Sequence, residues 1–124
     1  MIAYLCDDSL KRELNARKQN YWDVYHQEIC NQLGVTAGTR SLAQLENAAS
    51  FEGLRTLILG CQSSEKLTAK ARANIAAWVE KGGLLIGFAV SGLDLIFGVE
   101  TDVLVHNNVI SILLLGCHRA LHLR

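Results

Sequence analysis

The chain alternates between apolar runs without polar interruption and stretches where apolar residues recur every three or four positions. Its clearest passage is residues 67–92, LTAKARANIAAWVEKGGLLIGFAVSG. Ala71, Ile75, Trp78 and Val79 fall at i, i+4, i+7 and i+8, on one stripe of a helix, while Lys70, Arg72, Glu80 and Lys81 lie largely outside it. Thr68 stands where a capping side chain is expected. Gly82 and Gly83 follow the last periodic residue, where the left-handed conformation that closes a helix is cheap only for glycine. Residues 84–90 then run apolar without alternation, which predicts a strand covered on both faces, as in a parallel sheet between helix layers.

The same patterns continue in both directions. Residues 2–6 read as a short strand that runs into Asp7, Asp8 and Ser9, a charged loop at a carboxyl edge. Tyr21, Trp22, Tyr25, Ile29, Cys30 and Leu33 recur at helical spacing until Gly34, predicting an amphipathic helix that packs on the sheet. The polar residues 11–20 before it read as a helical extension or an ordered loop with a solvated face. A second strand is expected over residues 35–39, a short helical turn over 41–49, and a buried strand over 54–60 that opens into a polar loop at 61–64. A short turn of helix is expected over 93–97, ending at Gly98. Residues 103–105 and 109–115 then suggest a hairpin or two strands around His106, Asn107 and Asn108. Strands alternating with helices predict an α/β fold, a three-layer sandwich with a mostly parallel sheet and right-handed crossovers.

Composition narrows the classes of partner. The chain has 124 residues, a formal net charge of +0 and a hydrophobic content of 50%. It therefore reads as one domain, without the basic excess that draws nucleic acid or an anionic membrane. Residues 109–115, broken by Ser111, are far short of the roughly 20 residues a membrane helix needs. The first residues lack the basic-then-apolar order of a signal peptide, so a cytoplasmic protein is expected. Half the residues being apolar is more than one small core easily covers, which predicts association with another copy or domain. Cys6, Cys30, Cys61 and Cys117 are far apart with no CxxC pair, so free, buried thiols are expected, and no metal or other cofactor.

Candidate chemistry gathers at the predicted carboxyl ends of the strands, where α/β sheets bind ligands. Asp7 and Asp8 follow the first strand. On extended backbone neighbours point to opposite sides, so at most one faces the crevice, and one of them is expected to cap the next helix. Cys61, with Gln62 beside it, ends a central strand. As a nucleophile it would need to pass directly into a helix whose N-terminus lowers the thiol pKa, and the next helix reads as starting only near Thr68. Ser91 and Gly92 follow the last central strand and could turn backbone N–H groups toward an anion or hydroxyl if a helical turn begins there. Cys117, His118 and His122 have a ligand-like spacing but no third ligand of known proximity, and a solvated terminal segment is the simpler reading. His26 and His106 read as structural or solvated, and Tyr21, Trp22 and Tyr25 as core or interface.

Three segments carry a resemblance. Residues 21–35, YWDVYHQEICNQLGV, are similar to the helix and glycine exit after the first strand of the class I glutamine amidotransferase-like superfamily, whose domains are flavodoxin-like. Residues 51–68, FEGLRTLILGCQSSEKLT, resemble its strand leading through a polar loop to an LT helix start. WVEKGGLLIGFAVSG, with LDLIFGVE behind it, is similar to the non-amidotransferase branch known as the β-galactosidase trimerisation domain, found beside glycosidase barrels. The likeness covers most of residues 1–100, while 101–124 depart from it, as in a truncated or diverged copy. The superfamily's glutaminase activity requires a cysteine on an elbow and a downstream H-x-E pair. Here the elbow position is Ala89, and His26, Gln27 and Glu28 form the H-x-E triple in the wrong place. The resemblance thus implies a non-catalytic accessory or oligomerisation module, a homo-oligomer or a partner of a glycosidase catalytic domain. The alternative is a small ligand-binding or hydrolytic domain using the crevice of Asp7, Asp8, Cys61, Gln62, Ser91 and Gly92.

Overall fold

A computed structural model describes residues 1–98 and the strand Ile112–Leu115. The expected turn at His106, the first arm of the hairpin, and Cys117, His118 and His122 lie outside the described residues. The chain forms an α/β sandwich of the flavodoxin-like kind. Strand β1 (Ile2–Leu5) is followed by helix α1 (Asp8–Ala16), a 3-10 turn at Trp22–Val24 and α2 (Tyr25–Gln32). Then come β2 (Ala37–Arg40), α3 (Leu42–Leu45), a second 3-10 turn at Ala48–Phe51 and β3 (Thr56–Gly60). After them follow α4 (Cys61–Ser64), α5 (Ala69–Glu80), β4 (Leu84–Phe88), α6 (Asp94–Phe97) and β5 (Ile112–Leu115). The sheet order is β2-β1-β3-β4-β5; the first four strands are parallel, and β5 runs antiparallel to β4.

Local sequence explains most of these boundaries. The Thr68 hydroxyl accepts the Ala71 N–H at 3.2 Å and opens α5, whose buried residues are Ala71, Ile75, Trp78 and Val79, the predicted stripe. The helix closes with paired bonds from the Gly82 N–H to the Val79 carbonyl and from the Gly83 N–H to the Trp78 carbonyl, at 2.9 and 3.1 Å, with Gly82 at φ 103. Ser41 and Gln44 form a reciprocal capping box that starts α3 within the expected 41–49 segment.

The sheet is covered unequally. Ala3 and Leu5 of β1, Leu57 and Leu59 of β3 and Leu85 of β4 point to one side, where they pack with Leu45, Phe51, Ile75, Trp78 and Phe97 into the main core. Full burial of a side chain the size of leucine stabilises by about 2 kcal/mol, so this layer dominates the apolar contribution to folding. On the other side Tyr4, Ile58 and Cys30 make a much smaller buried cluster beneath α2. The expectation that β4 is covered on both faces is corrected here. Leu85 and Gly87 are buried, but Leu84, Ile86 and Phe88 are only half-buried, Ile86 and Phe88 lying at the margin of the small Tyr4, Ile58 and Cys30 cluster.

The helix predicted from Tyr21 is also corrected. Regular helix begins at Tyr25, and α2 turns His26 and Cys30 inward, whereas Trp22, Tyr25, Ile29 and Leu33 are exposed. Among the described residues no helix is long and apolar enough to cross a membrane.

Candidate functional site

The polar residues nearest the carboxyl ends of β1 and β3 form one hydrogen-bonded chain. Asp7 is the N-cap of α1, and its carboxylate accepts the Leu10 N–H at 3.0 Å, which fulfils the capping role expected of one of the two aspartates. The Asp7 N–H donates to the Tyr21 hydroxyl at 2.9 Å, and that hydroxyl lies 2.6 Å from the Ser63 hydroxyl. The Ser63 N–H donates to the Asp23 carboxylate at 2.8 Å, and Asp23 is only 2% exposed. Gln62 extends the same seam, accepting the Trp22 N–H at 2.6 Å and donating to the Asn20 carbonyl at 2.9 Å. The seam ties the segment leading into α2 to the corner after β3.

Close approach makes this seam possible. Gly60, the last residue of β3, lies against the carboxylate of Asp23 and the ring of His26, and a Cβ there would collide with both. His26 is buried, stacked on Phe88 with ring centroids 5.4 Å apart and edge-on to Tyr4 at 6.4 Å. Its Nδ1 is buried without a hydrogen-bond partner among the described residues. Burial pushes the His26 imidazole below its ordinary pKa, with Asp23 acting in the opposite direction. The Tyr21 phenol is pushed up to about 12, chiefly by burial, against the hydrogen bonds from Asp7 and Ser63.

Cys61 departs from its expected setting. Residues 61–64 are not a loop, since Cys61 is the first residue of α4 and follows Gly60 directly. The helix exists there because Asp23 satisfies the Ser63 N–H, one of the donors a first helical turn leaves free. The thiol is nonetheless not activated: burial, then the nearby Asp23 carboxylate, push the Cys61 pKa up. Cys6, whose thiol donates to Asp8 at 3.6 Å, is likewise raised by burial and then by Asp8. Asp8 itself is exposed, so the two aspartates face different surroundings.

Ser91 and Gly92 do not join this seam. Both are exposed, and Gly92 packs beneath the Arg72 guanidinium of α5, in a position with φ 74. The helical turn that follows is α6, which starts at Asp94, with Leu93 offering no side-chain cap. Just ahead of them Ala89 takes φ 51, a left-handed conformation that costs an L-residue roughly 1–2 kcal/mol. Val90 and Phe97 fold back onto Gly87 and hold this turn in place.

The six predicted crevice residues thus divide into Asp7, Gln62 and the neighbouring Cys61 at the seam, Asp8 on the surface beside Cys6, and Ser91 with Gly92 near Arg72. Asp23, Ser63 and Tyr21 hold the seam together, yet sequence reasoning assigned none of them a role there. The signal available was the strand ending in glycine ahead of a polar CQSS, which marks a close approach. Among the described residues no group of three or more His, Cys, Asp or Glu side chains is arranged to hold a metal ion. Neither protein-family models, nor curated proteins, nor solved structures give a match to this chain.

Proposed function

We propose that this chain is a non-catalytic accessory or oligomerisation module of the class I glutamine amidotransferase-like superfamily, of the branch resembling the β-galactosidase trimerisation domain, and that it serves a carbohydrate-active partner. The observation that carries this reading is Ala89. It stands just past β4 in the strained left-handed turn with which an elbow of this kind lifts its nucleophile, and it carries only a methyl group. The strand order β2-β1-β3-β4 agrees with the superfamily's flavodoxin-like sheet. The seam from Asp7 to Asp23 supports the reading further, because its polar groups bond to one another rather than converging on a common point in the crevice. The half-covered β4 and the exposed α2 stripe favour association.

The test has two arms. The full chain, given glutamine or an activated ester, is expected to release product no faster than buffer, and mixed with a glycosidase catalytic domain encoded beside it, to elute with that domain. Turnover that disappears on Cys61→Ala would replace this reading with the alternative, a small hydrolytic domain using the crevice. The placement of Cys61 at the head of α4 favours that second reading, and its raised pKa opposes it.

A further inference from the structure

On the α2 side of the sheet a groove of about 280 Å³ opens beside the small cluster of Tyr4, Ile58 and Cys30. Ile58, Ile86 and Phe88 line it from the sheet, and Ile29 and Cys30 line it from α2. Thr56, also in its lining, pairs with Leu84, four residues before Phe88, so the groove extends roughly 13 Å along the strands. At its carboxyl end stands His26, stacked on Phe88 with ring planes 27° from parallel.

The lining restricts what can fill this space. A buried water keeps roughly two to four polar partners, whereas here the imidazole of His26 and the hydroxyl of Thr56 lie at opposite ends, and the Cys30 thiol acts as a small hydrophobe. Among the described residues no charged side chain lines the groove, so an ionic ligand would lose its hydration without a counter-charge. An apolar cavity of roughly 150 Å³ holds benzene, and by that measure this groove takes about ten to twelve non-hydrogen atoms. The stacked His26 and Phe88 rings offer aromatic surface against which a flat ring packs. His26 is only 5% exposed and its Nδ1 has no partner among the described residues, a buried polar atom of the kind a bound ligand satisfies. Burial holds the imidazole below its ordinary pKa, so near pH 7 it is neutral, with one acceptor and one N–H. A hydroxyl both donates and accepts, and therefore answers it in either tautomer.

We propose that this groove binds an uncharged aromatic alcohol, its ring lying along Ile58 and Ile86 and its hydroxyl hydrogen-bonded to His26. The site stands apart from the association role, which co-elution with a glycosidase domain tests on its own. The probe is 2-naphthol, of about eleven non-hydrogen atoms, expected to bind the full chain with a Kd of roughly 100 μM and to shift the methyl resonances of Ile29, Ile58 and Ile86. Naphthalene, which lacks the hydroxyl, is expected to bind roughly three- to tenfold more weakly, and the charged 2-naphthoate at least roughly tenfold more weakly. In His26→Phe the preference for 2-naphthol over naphthalene is expected to vanish or reverse, because the hydroxyl is then buried unpaired. Ile29→Trp, made from the half-exposed side of α2, is expected to fill the groove and weaken 2-naphthol at least roughly tenfold with the circular dichroism unchanged. No binding of 2-naphthol at millimolar concentration overturns the site, and so do shifts confined to residues away from the groove. Naphthalene bound as tightly as 2-naphthol by the wild type overturns the hydroxyl's pairing with His26, a comparison that needs no variant to fold. A preference that survives His26→Phe overturns that pairing as well.

Discussion

Replacing Ala89 by glycine tests whether the elbow turn stores strain. At φ 51 the alanine methyl crowds its own backbone, costing roughly 1–2 kcal/mol, and glycine removes that contact. Glycine also gives the unfolded chain more freedom, an opposing effect of roughly 0.5–1 kcal/mol. The balance is a gain of about 0.5–1 kcal/mol for Ala89→Gly. Ala77→Gly is the internal control, since Ala77 is an exposed residue within α5, where the same chemical change costs about 1 kcal/mol. Urea unfolding followed by tryptophan fluorescence, at one fixed protein concentration, reads both, because Trp78 is buried and its indole N–H donates to the Leu54 carbonyl. With a slope of about 2 kcal/mol per molar urea, the midpoints are expected to move about 0.3–0.5 M in opposite directions. If Ala89→Gly lowered the midpoint as Ala77→Gly does, the turn at Ala89 would carry no strain, and Ala89 would not mark the strained turn on which the proposed non-catalytic role rests.

Tyr21→Phe is expected to cost about 1–3 kcal/mol at neutral pH, because the Asp7 N–H and the Ser63 hydroxyl lose their buried partner; chemical denaturation measures it. In the wild type the raised Tyr21 pKa makes its stabilising effect complete below about pH 10, the unfolded value, and lost as pH rises toward about 12; Tyr21→Phe should flatten that alkaline limb. His26 works at the acid end. Its folded pKa lies below the free value of about 6.5, so the unfolded state takes up the proton first and stability falls as pH drops below about 6.5, levelling once the folded imidazole is also protonated. Thermal melts across pH 7 to 4 should show this fall, and His26→Phe should remove its part of it.

The sequence patterns read most clearly where a single local rule operates. The stripe of α5, its Thr68 cap and its glycine ending are all local, and each appears in the structure as the spacing requires. The orientation of α2 was not legible. Tyr25, Ile29 and Leu33 form one stripe and His26 and Cys30 another, and only packing on Phe88 and Tyr4 decides that the histidine's side goes inward. The same holds for Cys61–Ser64. CQSS carries little helix propensity, and the turn forms because a carboxylate forty positions away accepts its N–H. At the site, Asp7 was legible because capping is local, while the Tyr21, Ser63 and Asp23 bonds join distant segments and leave no spacing to read.

The lopsided cover of the sheet bears on how this chain can diverge. A substitution facing α5 meets a filled interior and must be answered by its neighbours, whereas the exposed Leu33 and the half-buried Leu84 have more room to change size. Selection acting on that side can therefore reshape the exposed surface in few steps, while the opposite layer keeps the fold constant.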